Sequence, residues 1–335
     1  MQAAVITPTL ADVPEHEARA GRSESYGALV ARLARQSVVK HFDAYADVDW
    51  DAPEHAIDQT DPIWALDADD PLGATSWYRA LPAETRARLG LHLIASQVKL
   101  GLEFERTLKI GLLEFASTLD DAAPQFRYAY HEVIEETQHS LMFRELLLRI
   151  GLEVPGLGWR DRMGARRVGR LGRTFPPLFF LFVLGGEEPI DYEQRRLLRS
   201  GIALHPLVAR IMRIHVTEEA RHICFAREYL RDRVPRLPAA RRASLAIQAP
   251  LLLADMTNHM MRPSAHVVRT YGMPDAVVRE AFTESTAHRR FVMDSLAHVR
   301  GLCAELGLVG PWMLPLWRRL GMWDDAAASP LRATA

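Results

Sequence analysis

Two short strings constrain this chain more than anything else in it: Glu135-Glu136-Thr137-Gln138-His139 and Glu218-Glu219-Ala220-Arg221-His222. Both fall inside segments whose apolar residues recur every three or four positions, so both put acids and a histidine on helices that would otherwise be greasy. Glu-x-x-His alone is a common string and usually marks a solvated helix face. The doublet form is more selective. Of the three Glu-Glu doublets in the chain, two are followed by x-x-His, where chance would give roughly 0.1. The third, Glu187-Glu188, lies in a helical segment between them.

The surrounding pattern is helical almost throughout. Ile94, Val98, Leu102, Leu108, Leu112 and Phe115 mark one stripe of a helix over 83–118, with Pro82 before it and LDDAAP after it. Further helices are expected over 125–150, ending at Gly151, over 160–173, over 176–200 with Pro189 as a kink, and over 205–233, stopped by Pro235. Helical pattern returns at 238–261 and 275–306. Hairpin dipeptides between alternating runs are missing, as are GxGxxG and P-loop motifs. The expected class is therefore all-α. The organisation reads as an N-terminal helix and extended wrapping segment over 1–80, a helical bundle over 81–310 and a Trp-rich tail over 311–335. Within the first part, 43–75 is rich in Asp, Pro and Ala.

Composition removes several partners. With 335 residues, 48% hydrophobic, the chain has an ordinary globular composition. Lys plus Arg is 41 against 42 for Asp plus Glu, so there is no bulk field to attract nucleic acid or an anionic membrane. Two cysteines, Cys224 and Cys303, offer neither a disulfide framework nor a zinc ribbon. The opening residues carry acids and prolines rather than an apolar core, and the longest apolar run, Leu178 to Leu184, is far short of a membrane span. A cytoplasmic location is the expectation. The five arginines over 162–173 are read as a solvated face, and Cys224 as core packing away from any metal.

Helix geometry turns the strings into a candidate site. At about 100° per residue, Glu136 and His139 lie about 60° apart on one face, and His215, Glu219 and His222 share a similar wedge. Two such helices, with one buried Glu from each of two more, form the di-metal arrangement of four-helix bundles. On the 83–118 helix Glu105 lies on the apolar stripe, whereas Glu103 shares a face with Lys99 and Arg106. A carboxylate on an apolar stripe is costly unless it is paired or metal-bound, which favours Glu105. On the 176–200 helix Glu187 aligns with Val183, Ile190 and Leu197, and Glu188 with Asp191 and Arg195, which favours Glu187. His131-Glu132-Val133-Ile134-Glu135 superficially matches a zinc-protease helix, but its fifth position is Glu rather than His. A structural hydrogen-bond network of buried Glu and His is the bland alternative.

The strings LEFERTLKIGLLEFA, FRYAYHEVIEETQHSLMF, GGEEPID and HVTEEARH resemble the AurF-like di-iron oxygenases, the family of p-aminobenzoate N-oxygenase, over roughly 80–230. The distinguishing detail is a histidine one turn before the last Glu-x-x-His, here His215. The resemblance implies a ferritin-like four-helix core with additional flanking helices and seven metal ligands: Glu105, Glu136, His139, Glu187, His215, Glu219 and His222. It implies two iron ions, with manganese possible in their place and O2 as co-substrate. Imidazole and carboxylate donors suit either metal. With four carboxylates and an oxide bridge, two ferric ions reach formal neutrality, which makes burial of the charge tolerable. The implied activity is N-oxygenation of an arylamine or related amine through a peroxo-diferric intermediate. The implied partners are a small amine substrate, an external electron donor (reductase or ferredoxin) and a second copy of the chain as a homodimer. A C-hydroxylase, desaturase or oxidase of another small metabolite would use the same site, and a non-catalytic iron-handling protein is the remaining metal-binding alternative.

Overall fold

The computed structural model describes residues 24–324. Among them every regular element is helical. The core consists of α3 (Ala83–Ala116), α4 (Pro124–Ile150), α6 (Pro176–Arg199) and α7 (Pro206–Arg233), preceded by α1 (Tyr26–Val39) and the short α2 (Ser76–Ala80). Between α4 and α6 in the chain, α5 (Trp159–Thr174) lies along α3. The boundaries follow local chemistry. Proline opens α4, α6 and α7 at a position where its missing N–H is no loss, and Gly151 ends α4 with φ of 67°, a conformation that costs glycine nothing. α6 runs through Pro189 without a break.

The remaining helices flank this bundle. α8 (Ala239–Met260) packs on α6, followed by α9 (Ala265–Thr270) and α10 (Asp275–Arg279). The helical pattern over 275–306 is realised as several separate pieces. A π-helical turn at Glu280–Glu284 ends α10; α11 (Thr286–Ser295) and α12 (Ala297–Glu305) follow as separate pieces, with Leu296 off helical geometry between them. The reason is local: Ser285 accepts a hydrogen bond from the His288 amide and so caps a new helix start, while the pieces bend around α6. α13 (Leu314–Arg319) puts Trp317 fully into the core, so the part of the 311–335 tail that is described is packed rather than trailing. Within the wrapping stretch, 43–75 contains only the 3-10 turns Pro53–His55 and Pro62–Trp64. No helix among the described residues is long and apolar enough to cross a membrane.

The core is layered along the bundle. One apolar cluster holds Leu108 and Leu112 of α3, Tyr128 of α4, Phe179 and Phe180 of α6 and Phe225 of α7. A second holds Leu91 of α3, Met142 and Phe143 of α4 and Leu207, Ile211 and Ile214 of α7. On α3, α4 and α7 the buried acids and histidines Glu105, Glu132, Glu135, Glu136, His139, His215, Glu218, Glu219 and His222 lie between these two sets. A polar layer is thus sandwiched between two apolar ones, closed to water at both ends.

Candidate metal centre

All seven residues singled out above fall in that layer. Glu105, Glu136, His139, Glu187, His215, Glu219 and His222 are each at most 2% exposed. Four groups of three have ligand atoms within 4.8 Å of one another: Glu105, His139 and His215; Glu136, His139 and Glu219; Glu187, His215 and Glu219; and Glu132, Glu136 and His222. The first three are built wholly from the expected residues. Glu187, not Glu188, enters the cluster; Glu188 turns aside to Arg227, whose Nε donates to it at 2.7 Å.

Close helix contact brings the two single glutamates in. A Cβ on Gly186 would stand 2.2 Å from Cε2 of Phe104, so only glycine lets α6 approach α3 here. Phe104 and Gly186 each precede the glutamate concerned, Glu105 or Glu187. Glu105 is steadied on one side only: Ser140 Oγ donates to its Oε2 at 3.0 Å, and Lys109 Nζ donates to Ser140 and to the Glu136 carbonyl.

The two histidines of the Glu-x-x-His strings are held in matching ways. His139 Nδ1 lies 3.3 Å from Glu136 and 3.3 Å from Glu219; His222 Nδ1 lies 2.9 Å from Glu136 and 3.2 Å from Glu219. Their other nitrogens face outward. His139 Nε2 donates to Glu218 at 2.9 Å, and His222 Nε2 donates to Glu135 at 2.7 Å. The first glutamate of each doublet therefore orients the histidine of the opposite helix. Arg221 donates to Glu135 at 2.8 Å and lies 3.6 Å from Glu218, joining the two outer carboxylates, and the Phe42 amide donates to Glu218 from the wrapping segment. His215 turns the other way: its Nδ1 meets Gln194 Oε1 at 3.1 Å, which leaves Nε2 facing Glu105 and Glu219. In metal sites a histidine commonly gives one nitrogen to the ion and the other to a carboxylate or carbonyl that sets its tautomer. All three histidines have that arrangement.

The donor set fits a pair of cations. Glu105 Oε1, Glu187 Oε2 and Glu219 Oε2 are buried without any hydrogen-bond partner. Glu136 Oε1 is also without one, because its 2.9 Å approach to His222 Nδ1 lacks hydrogen-bond geometry. Buried carboxylate oxygens are costly when unsatisfied, and here four of them converge. The electrostatics carry the same strain. Burial, reinforced by Glu136, pushes Glu105 up to about 8, and burial with Glu219 and Glu136 pushes Glu187 well above the usual range. Burial also opposes ionisation of Glu136, but the His222 and His139 imidazoles overcome it and hold Glu136 at about 2. Burial disfavours charge on His139 as well, yet its bonds to Glu136, Glu218 and Glu219 raise it well above an ordinary imidazole. His215, dominated by burial, is pushed down to about 4 and is therefore neutral.

Three expectations about neighbours need revision or extension. Glu103 is not an ordinary surface residue: it is buried, but Lys99 at 3.0 Å and Arg106 at 2.6 Å neutralise it, and it stays out of the cluster. Glu135 and Glu218 carried no assigned role in the sequence, although the repeated doublet was the signal for them. Glu132, met only in the rejected zinc-protease match, is fully buried in the fourth group. The five arginines over 162–173 are exposed, and Cys224 is half-buried against the apolar core, as the pattern indicated.

An all-α bundle with facing glutamates and histidines from four helices belongs to the architecture of the di-metal carboxylate proteins. The family model described as P-aminobenzoate N-oxygenase AurF matches residues 23–307, and the chain belongs to that family, with its ferritin-like fold. Among curated relatives, the uncharacterized protein MT0908 of Mycobacterium tuberculosis (strain CDC 1551 / Oshkosh) is 40% identical over 293 residues, covering 88% of this chain and 86% of its own. The uncharacterized protein Mb0909 of Mycobacterium bovis is 39% identical with the same coverage. No solved structure gives a significant match.

Proposed function

We propose that this protein is an O2-dependent non-haem di-iron monooxygenase, with N-oxygenation of an arylamine or related amine as its reaction. The observation that supports it most directly is the convergence of unpartnered, buried carboxylate oxygens and inward-facing imidazole nitrogens in a layer sealed by apolar side chains. The residues that would hold the metals are Glu105, Glu136, His139, Glu187, His215, Glu219 and His222. When bound, two iron ions would supply the two-electron reduction of O2 that no side chain can perform.

The chain's own contribution is positional. Glu135 and Glu218 hold His222 and His139 with their Nδ1 atoms facing inward, and Gln194 does the same for Nε2 of His215. Arg221 ties both outer carboxylates in place. The flanking apolar layers exclude water, which otherwise would compete for the centre and dissipate reducing equivalents. Reductive use of O2 requires electrons, so the reading includes an external reductase or ferredoxin as their source.

The test is direct. Protein from iron-supplemented cells should contain close to two irons per chain, and the reduced protein exposed to O2 with p-aminobenzoate or related arylamines should yield hydroxylamine, nitroso or nitro product. Two irons with oxidation only at carbon would move the substrate reading to a C-hydroxylase or desaturase. Fewer than two ions per chain under loading conditions would overturn the centre itself.

A further inference from the structure

The strings on α4 and α7 correspond over eight positions, not five. They read Glu132-Val133-Ile134-Glu135-Glu136-Thr137-Gln138-His139 and His215-Val216-Thr217-Glu218-Glu219-Ala220-Arg221-His222. In each, the first, fifth and eighth positions are spaced to share one helix face. The contacts already described equate Glu136 with Glu219, His139 with His222, and Glu135 with Glu218. The same correspondence pairs His215 with Glu132. Both reach across the helix pair: His215 of α7 is grouped with His139 of α4, and Glu132 of α4 with His222 of α7.

Glu132 has the marks of a residue awaiting a cation. It is fully buried, and neither carboxylate oxygen has a hydrogen-bond partner. Arg221, the buried guanidinium of this layer, is committed to Glu135 and Glu218. One turn earlier on α4, the Tyr128 hydroxyl is buried without a partner as well and makes no bond to Glu132. Its ligand atom lies within 4.8 Å of those offered by Glu136 and His222. A carboxyl group sealed from water with no hydrogen-bond donor is the arrangement that proteins avoid unless a metal completes it.

We propose that Glu132 is an eighth protein ligand, serving the ion nearest Glu136 and His222, in the place on α4 that His215 occupies on α7. The proposal rests on the di-metal reading above. It makes the two ions chemically unlike: one gains a neutral imidazole, the other a hard anionic oxygen, the donor class that favours Mn2+ and Fe2+ over softer cations.

The test uses the full-length metal-free protein titrated anaerobically with Co2+, read by bound metal and visible absorption, without O2 or substrate. Wild type should take two ions per chain. Glu132→Gln, which keeps the volume, should bind one ion as wild type does and the other at least about tenfold more weakly, with changed absorption of that ion. Glu132→His, which copies the α7 pattern, should restore two-ion binding with a spectrum of its own. A wild-type crystal soaked with Mn2+ gives an independent reading, with a Glu132 oxygen at bonding distance from one ion. Two ions of unaltered affinity and spectrum in Glu132→Gln, or a soaked crystal with both ions present and Glu132 turned away, would overturn the proposal and leave the di-metal reading standing. Wild type that binds fewer than two ions would overturn both.

Discussion

Two neighbouring glutamates, Glu187 and Glu188, open onto two differently built regions. Outward of α6, Glu188 meets Arg227 at 2.7 Å, and nearby Arg300 donates to the Met293 carbonyl, so each of these buried charges has a protein partner. Inward, Glu187 joins six other buried carboxylates (Glu105, Glu132, Glu135, Glu136, Glu218 and Glu219) that share only Arg221, Lys109 and three histidines. The outer region gives each charge a partner, although single atoms, Glu188 Oε2 and Arg300 Nε, are left without a hydrogen bond. The inner layer is short of positive charge, and that deficit, more than the presence of acids as such, marks it as a place for cations.

The comparison can be broken in several ways, the most severe first. Glu219→Ala, removing the acid that touches His139, His215 and His222, should abolish loading of at least one ion, measured as metal per chain; His139→Ala should do likewise. Glu188→Ala should leave loading intact but strand Arg227, with a loss of about 3 kcal/mol in chemical denaturation. Glu187→Gln should show the opposite profile, weakened metal binding with no loss of metal-free stability, because burial and the neighbouring acids already disfavour a charge there. If Glu187 and Glu188 variants behave alike, the contrast between the regions fails.

Smaller effects sharpen it. Glu135→Ala and Glu218→Ala should each weaken metal binding by about 10–100-fold in a chelator competition, since they orient histidines without holding an ion. The pH dependence has a definite sign. His139 and His222 are raised well above the ordinary imidazole value in the metal-free protein, burial being outweighed by the surrounding carboxylates. Their contribution to metal-free stability is therefore full below about 6.5 and is lost as pH rises through the raised values. Metal binding must displace those protons, so affinity should climb with pH over the same range. Glu103→Ala, finally, should leave metal content unchanged; a fall in iron there, with none in Glu105→Ala, would reverse the assignment of the two acids on α3.

Much of the site was legible before any coordinates. Glu105 and Glu187 were separable from Glu103 and Glu188 because helical phase places one acid of each pair with apolar residues and the other with charges, and the structure keeps those phases even through Pro189. Glu132 shares the face of Glu136 and His139, but Glu135 and Glu218 were not legible in the same way. Each lies on a helix flank whose exposure depends on which neighbour packs there; α1 and the wrapping segment cover α4 and α7, and nothing in their own periodicity announces it. The 275–306 region is helical as its apolar spacing indicates, but where it divides is decided by the Ser285 cap.

The sequence alone determined the helices, their order and the presence of acids and histidines on faces that should be apolar, since these depend on spacing along a single helix. Only the tertiary structure decided which nitrogen of each histidine faces the centre, which carboxylates stand behind them and which charges find partners elsewhere. Those properties arise from the approach of one helix to another, set by close contacts such as Gly186 against Phe104 and by the apolar layers that seal the site at both ends.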